Sequence, residues 1–248
     1  MTRGSRLALS SGVVLAACAV LLALSGCGTA ILSPSGTHAA PGPAASSSGP
    51  RSYTISSPVS TVVVNGGAGT ISVTGTSADT VTVTEEAYFS DSAKPPSTSH
   101  VDQDGTLTLT YSCPIQLTCG VSYVIGVPRQ DAVQVSDREG AITLAALAGP
   151  LRAQTLTGVI SATGLASPSA TFKSTAGEIS AAFSAVPASV SASTTAGPIT
   201  LTLPPAAVYQ VHAHAYIGTS TVTVRQDAAA RSVITASSDV GTVTIGPS

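Results

Sequence analysis

Apolar and polar positions alternate along most of this chain, and a twelve-residue phrase organises the alternation. Its order is apolar, any residue, apolar, four turn-type residues, Gly, any residue, apolar, Ser or Thr, apolar. "VVVNGGAGTISV" at 62–73, "VQVSDREGAITL" at 133–144, "LRAQTLTGVISA" at 151–162 and "ATFKSTAGEISA" at 170–181 fit it. "VSASTTAGPITL" at 190–201, "VHAHAYIGTSTV" at 211–222 and "ITASSDVGTVTI" at 234–245 complete seven copies. A two-residue period is that of a strand with one face buried, so each copy predicts strand, short turn, strand. One such unit cannot bury its apolar face alone, but stacked units share a core. The predicted fold is all-β: a β-solenoid, or stack of β-coils, over residues 53–248.

The invariant glycines are Gly69, Gly140, Gly158, Gly177, Gly197, Gly218 and Gly241, and from Gly140 their spacings are 18, 19, 20, 21 and 23 residues. They stand where the chain turns at positive φ or lies against a neighbouring turn. Pro150, Pro168, Pro187 and Pro204 fall between copies, where a missing N–H costs least. Ala153, Ala162, Ala181, Ala192 and Ala213 at inward positions predict a thin core. An insertion separates the first two copies. Within it Val81–Glu85 alternates as a strand, and "HVDQDGTLTLTY" at 100–111 predicts a hairpin turning at Asp104-Gly105. The sixth copy departs from the template, with Ser220 where the others carry an aliphatic residue.

The N-terminus carries a different pattern. Arg3 and Arg6 precede an apolar run, Leu7 to Leu24, followed by Ser25-Gly26-Cys27. This is the form of a bacterial lipoprotein signal peptide, residues 1–26, with Cys27 as the acylated first residue of the mature chain. Acyl chains such as palmitate anchor stably when two or three act together. An uncleaved span with an incidental cysteine is the alternative, and it also leaves the remainder outside the cytoplasm. Residues 27–52 are rich in Pro, Ser and Gly without a hydrophobic period, which predicts a disordered tether.

Composition narrows the function. The 248 residues are 43% hydrophobic but only 4% aromatic and 9% charged, with net charge −2, or −4 once Arg3 and Arg6 are removed. Such a chain has no attraction for polyphosphate, which excludes nucleic acid as a partner. Outside the cytoplasm Cys113 and Cys119, in "CPIQLTC", read as a disulfide rather than a metal pair, because no nearby His or further Cys completes a zinc site.

Other chemistry is sparse. His212 and His214 share one strand face at a spacing compatible with a metal, but the other copies hold mainly polar solvent-face residues there, so no metal site is assigned. Asp102 and Asp104 lack the later acidic ligand of a calcium loop, and "NGGAGT" at 65–70 lacks the Lys and helix of a phosphate cradle. Glu85 and Glu86 are adjacent, so on a strand they face opposite ways. Glu139, Glu178 and Asp239 lie near the glycines at different template positions and make no acidic ladder. No Gly-x-Ser-x-Gly elbow is present. Catalytic and cofactor-binding residues are accordingly none.

The Ser-Gly-Cys27 box, the tether, the Cys-Pro pair before "VSYVIGVPRQDAVQVSDREGAITL" and the Gly-x-Ile-Ser/Thr phrases resemble a bacterial domain-of-unknown-function family labelled "putative adhesin". The resemblance runs from about Ser60 to Gly246 and is strongest over 101–203. It implies repetitive β-structure on an envelope lipoprotein and supplies no catalytic residue. The resulting expectation is a lipid-anchored, non-catalytic module presenting rows of hydroxyls to wall polysaccharide or to another envelope or surface protein. Envelope-stress sensing or scaffolding is the alternative, and a polysaccharide-active β-helix enzyme is a further one.

Overall fold

In a computed structural model residues Pro41–Ser248 form one compact unit. The structure describes residues 45–90, 94–113 and 119–248. The signal peptide at 1–26, Cys27 and the tether up to residue 44 lie outside the described residues.

Among the described residues every element is a strand. The first eight are β1 (Ala45–Ser47), β2 (Arg51–Ile55), β3 (Thr61–Asn65), β4 (Ile71–Thr76), β5 (Val81–Ser90), β6 (Ser97–Gln103), β7 (Thr106–Ser112) and β8 (Cys119–Pro128). Each later glycine phrase then contributes a pair: β9 (Ala132–Glu139) with β10 (Ile142–Ala145), β11 (Leu151–Thr157) with β12 (Ile160–Leu165), and β13 (Ser169–Ala176) with β14 (Ile179–Phe183). The last three pairs are β15 (Ser189–Ala196) with β16 (Ile199–Leu203), β17 (Gln210–Ile217) with β18 (Ser220–Val222), and β19 (Val233–Val240) with β20 (Val243–Pro247).

The two members of a pair enter different sheets, one of 11 strands and one of 9, and successive pairs stack in parallel. One sheet runs β1-β5-β8-β4-β10-β12-β14-β16-β20-β18, with β2 also on β5; the other runs β17-β19-β15-β13-β11-β9-β3-β7-β6. Inward side chains of both sheets form one buried cluster. In six of the seven copies the aliphatic residue two places after the glycine makes a ladder through it: Ile71, Ile142, Ile160, Ile179, Ile199 and Val243 are in register on consecutive layers, with Tyr123 of β8 beside Ile71. On the facing sheet Phe172 lies between Ala153 and Ala192, so that one large ring fills the space its two small neighbours leave.

The glycines stack as well. All seven have φ between +134° and +154°, a region closed to residues with a Cβ. A Cβ on Gly177 would strike the carbonyl oxygen of Gly158, and one on Gly158 that of Gly140. Each corner is tied to the next layer by hydrogen bonds such as Gly158 N–H to Ala176 O (3.0 Å) and Gly177 N–H to Ala196 O (2.8 Å). The glycine thus removes the side chain that would hold two turns apart.

Four details correct the sequence reading. From the second copy onward the turns are shorter than four residues, because the first strand of each pair runs almost to its glycine; in five copies the residue three before the glycine faces inward but is Asp137, Thr155, Ser174, Thr194 or Ser238, and so interrupts the apolar pattern. The layers do not follow chain order: the last copy lies between the fifth and the sixth. The insertion supplies an additional layer, β7 beside β3 and β8 beside β4, before the antiparallel strands β5 and β6 close that end. Finally, the end of the segment expected to be disordered is strand: β1 and β2 precede residue 53 or span it, and both pair antiparallel with β5. Neither has apolar alternation of its own; partner hydrogen bonding orders them. The hairpin at Asp104-Gly105 forms as expected, with φ of 53° and 72°.

Candidate functional site

Outward positions of the parallel layers form rows, because each strand sits in register on the next. On the larger sheet, Ser72, Thr143, Ser161, Ser180, Thr200, Thr244 and Thr221 follow one another on seven consecutive layers. None is buried. At a strand separation of about 4.8 Å the row is roughly 29 Å long. Beside it lie small residues, Thr74, Ala145, Thr163, Ala182 and Thr202. The face is flat and hydroxyl-rich, with no charged side chain in either row. β-branched Thr is also favoured on any exposed strand, so the row's regularity is first a consequence of the repeat.

The smaller sheet presents a different outer face. One row is Val63, Gln134, Arg152, Thr171, Ser191, Thr235 and His212; the next is Asn65, Ser136, Gln154, Lys173, Ser193, Ser237 and His214. Gln154 Nε2 donates to Ser136 Oγ across layers at 3.1 Å. His212 and His214 are exposed on the terminal strand β17, where Gln210 Nε2 lies 3.2 Å from His212 Nε2. Among the described residues no group of three His, Cys, Asp or Glu is placed to hold a metal.

Among the described residues the β7–β8 layer has no stacked glycine phrase between its strands, and there Cys113 and Cys119 are joined by a disulfide. Together with Gly66, Gly67, Ala68, Tyr111, Arg138 and Glu139 they border a cleft of about 380 Å³. Its walls are mostly backbone and polar, and Tyr111 Oη accepts from Ala68 N–H at 2.6 Å. The other acids singled out in the sequence do not converge on it. Glu178 and Asp239 are exposed beside their own glycines, and Asp102 accepts from Ser57 Oγ at the β6 edge.

Two acids are buried: Glu85, which faces opposite to the exposed Glu86 as their adjacency on a strand implies, and Asp137, which the sequence reading did not single out. Glu85 is 5% exposed and accepts a 2.6 Å hydrogen bond from Tyr53 Oη. Burial, then the bond to Glu85, raises the Tyr53 phenol far above its ordinary value. Asp137 is 4% exposed and neither carboxylate oxygen has a hydrogen-bond partner among the described residues. Burial pushes its pKa up to about 6; the nearby Arg138 backbone N–H, outside hydrogen-bond geometry, opposes the rise and the charge of Glu139 adds to it. Its slot holds Thr155, Ser174, Thr194 and Ser238 in the neighbouring layers, and Thr194 and Ser238 turn their hydroxyls onto Gly177 O (3.3 Å) and Gly197 O (2.9 Å). Inspecting the third residue before every glycine would have found this inward polar ladder.

No family model matches the chain, and no curated protein matches it in sequence. Solved structures do. A "putative cell adhesion protein" from Clostridium sporogenes is 12% identical, with 81% of this chain and 100% of that one covered at a TM-score of 0.46. A "putative adhesin" from Bacteroides fragilis is 14% identical, with 81% and 98% covered at 0.41. A "putative lipid binding protein" from Parabacteroides distasonis is 7% identical, with 81% and 97% covered at 0.24. The second carries the label of the family that the sequence resembles. At these values the likenesses carry no argument about ligand or chemistry.

Proposed function

We propose that residues 53–248 form a non-catalytic binding module, a β-solenoid held outside the cytoplasm by acyl chains on Cys27, whose contact surface is the hydroxyl face of the larger sheet. The observation that carries this reading is the row Ser72, Thr143, Ser161, Ser180, Thr200, Thr244 and Thr221, uninterrupted over seven layers. A flat uncharged array offers many weak hydrogen bonds to an extended partner, which suits wall polysaccharide or the surface of another envelope protein.

The test is retention of residues 41–248 on purified cell-wall polysaccharide. Thr143→Lys, Thr200→Lys and Thr244→Lys together are expected to reduce retention at least tenfold, while Thr171→Lys and Ser191→Lys on the other sheet leave it unchanged. Equal retention of both sets would remove the hydroxyl face from this role. Incorporation of labelled palmitate into the full chain, abolished by Cys27→Ser, tests the anchor.

A further inference from the structure

The end of the stack is formed by the sixth copy rather than by the chain terminus. In the centre of the ladder, Ser220 would put a hydroxyl where six layers hold Ile or Val. At the end it is exposed. Its partner strand β17 has a free edge along His212–Ile217, since it pairs with β19 on one side and the following loop reaches only to Tyr209, through Tyr209 N–H to Arg225 O and Asp227 N–H to Tyr209 O (both 3.0 Å). Gln210 N–H donates toward β19, to Ser232 O. By the alternation of a parallel ladder, the N–H groups of Val211, Ala213 and Ala215 then point away from the sheet.

Free edges are normally protected by charges, proline or shortness. Among the described residues the other edges have such protection: β18 and β1 are three residues long, β2 carries Arg51, and β6 carries Asp102. In contrast β17, "QVHAHAYI", is eight residues long without Lys, Arg, Asp, Glu or Pro. Its inward residues Val211, Ala213 and Ala215 are only half-covered. At its corner Tyr216 is 77% exposed, Ile217 62% and the adjoining Val240 50%.

We infer that β17 is a homotypic interface, at which two copies of this chain pair their β17 edges antiparallel about a twofold axis. A second copy is the occupant that the charge pattern selects: a twofold partner sets every residue of the edge against another residue of the same edge, and this edge has no Lys, Arg, Asp or Glu to repel its own image. The size also fits. A strand of eight residues is about 26 Å long, and with the adjoining sheet it buries roughly 500 Å² per copy, roughly 1,000 Å² in all, at the lower bound of specific interfaces. The dimer is therefore weak, with Kd in the micromolar range, and forms where the chain is concentrated on a surface.

Sedimentation equilibrium of residues 41–248, the compact unit that holds every core residue, tests this up to about 200 µM. Wild type is expected to form a reversible dimer. His212→Lys with His214→Lys, both at exposed positions, weakens it at least tenfold by like-charge contact, and Ala215→Pro does the same by removing an outward N–H. Thr235→Lys with Ser237→Lys, one layer inward on the same face, leaves it unchanged. Thermal unfolding reports that each variant keeps the fold. A wild type that stays monomeric throughout, or a dimer indifferent to both β17 variants, overturns the inference.

Discussion

Asp137 shows how one residue can work against the layer that contains it. Its carboxyl has no hydrogen-bond partner among the described residues and a pKa raised to about 6. The folded state therefore holds its proton more tightly than the unfolded chain, so this site's contribution to stability is full below the unfolded value near 4 and is lost as pH rises through 6. Asp137→Thr installs the residue type that neighbouring layers use in the same slot. It is expected to raise stability at pH 8 by about 2–3 kcal/mol and to flatten its pH dependence between 4 and 7, as read by urea unfolding. The glycines give a second contrast at this scale. Gly177→Ala places a methyl against the Gly158 carbonyl at φ +149° and is expected to cost more than about 3 kcal/mol. At Gly164, with φ +61°, the same methyl meets nothing closer than 3.9 Å, and the cost is about 1 kcal/mol.

At the scale of elements, the β7–β8 layer differs from the rest in its corner. Other layers turn at a glycine held by its neighbours, whereas this one turns through a loop closed by Cys113 and Cys119. A cross-link six residues apart restricts the unfolded chain modestly, by about 2 kcal/mol. Cys113→Ser with Cys119→Ser is thus expected to lower global stability by that amount. Amide exchange should accelerate in β7 and β8 and change little in β13–β16, because layers several places away share no contact with the corner. Uniform acceleration would show that the stack unfolds as one unit. The β12–β14 irregularity illustrates the tolerance of the design: the register shifts between Ala162 and Leu165, at Gly164, yet Leu165 and Phe183 still pair inside.

For the molecule as a whole, the two ends are built differently. Antiparallel strands from the insertion and from residues 45–55 close one end, where Tyr53, Glu85 and Tyr123 provide a polar seal inside a hydrophobic stack. At the other end the sixth copy leaves an uncharged edge open. Solenoid-like stacks need capping because every internal layer is covered on both sides. If β17 pairs with its own image, the capped ends point away from each other and the hydroxyl rows of two copies double the contact length. Avidity on a polymeric partner should then fall when β17 is charged, even though the hydroxyl face is untouched; retention of the His212→Lys, His214→Lys variant on wall material, measured at two surface densities, checks this.

The amino-acid sequence determined the strand content, the glycine corners and the outward rows, because each follows from a local period that depends only on which side of a strand a residue occupies. It also exposed the anomalous Ser220. Tertiary structure alone decided the order of the layers, since seven near-identical templates can pair with one another in many sequences and only the full set of neighbours places Ser220 at an edge. Glu85 and Asp137 fall in phase with the inward valines before them, so their burial was legible in the period. Tertiary structure likewise decided that β1 and β2 are strands, because their ordering depends on a long-range partner, β5, whose distance along the chain leaves no periodic mark.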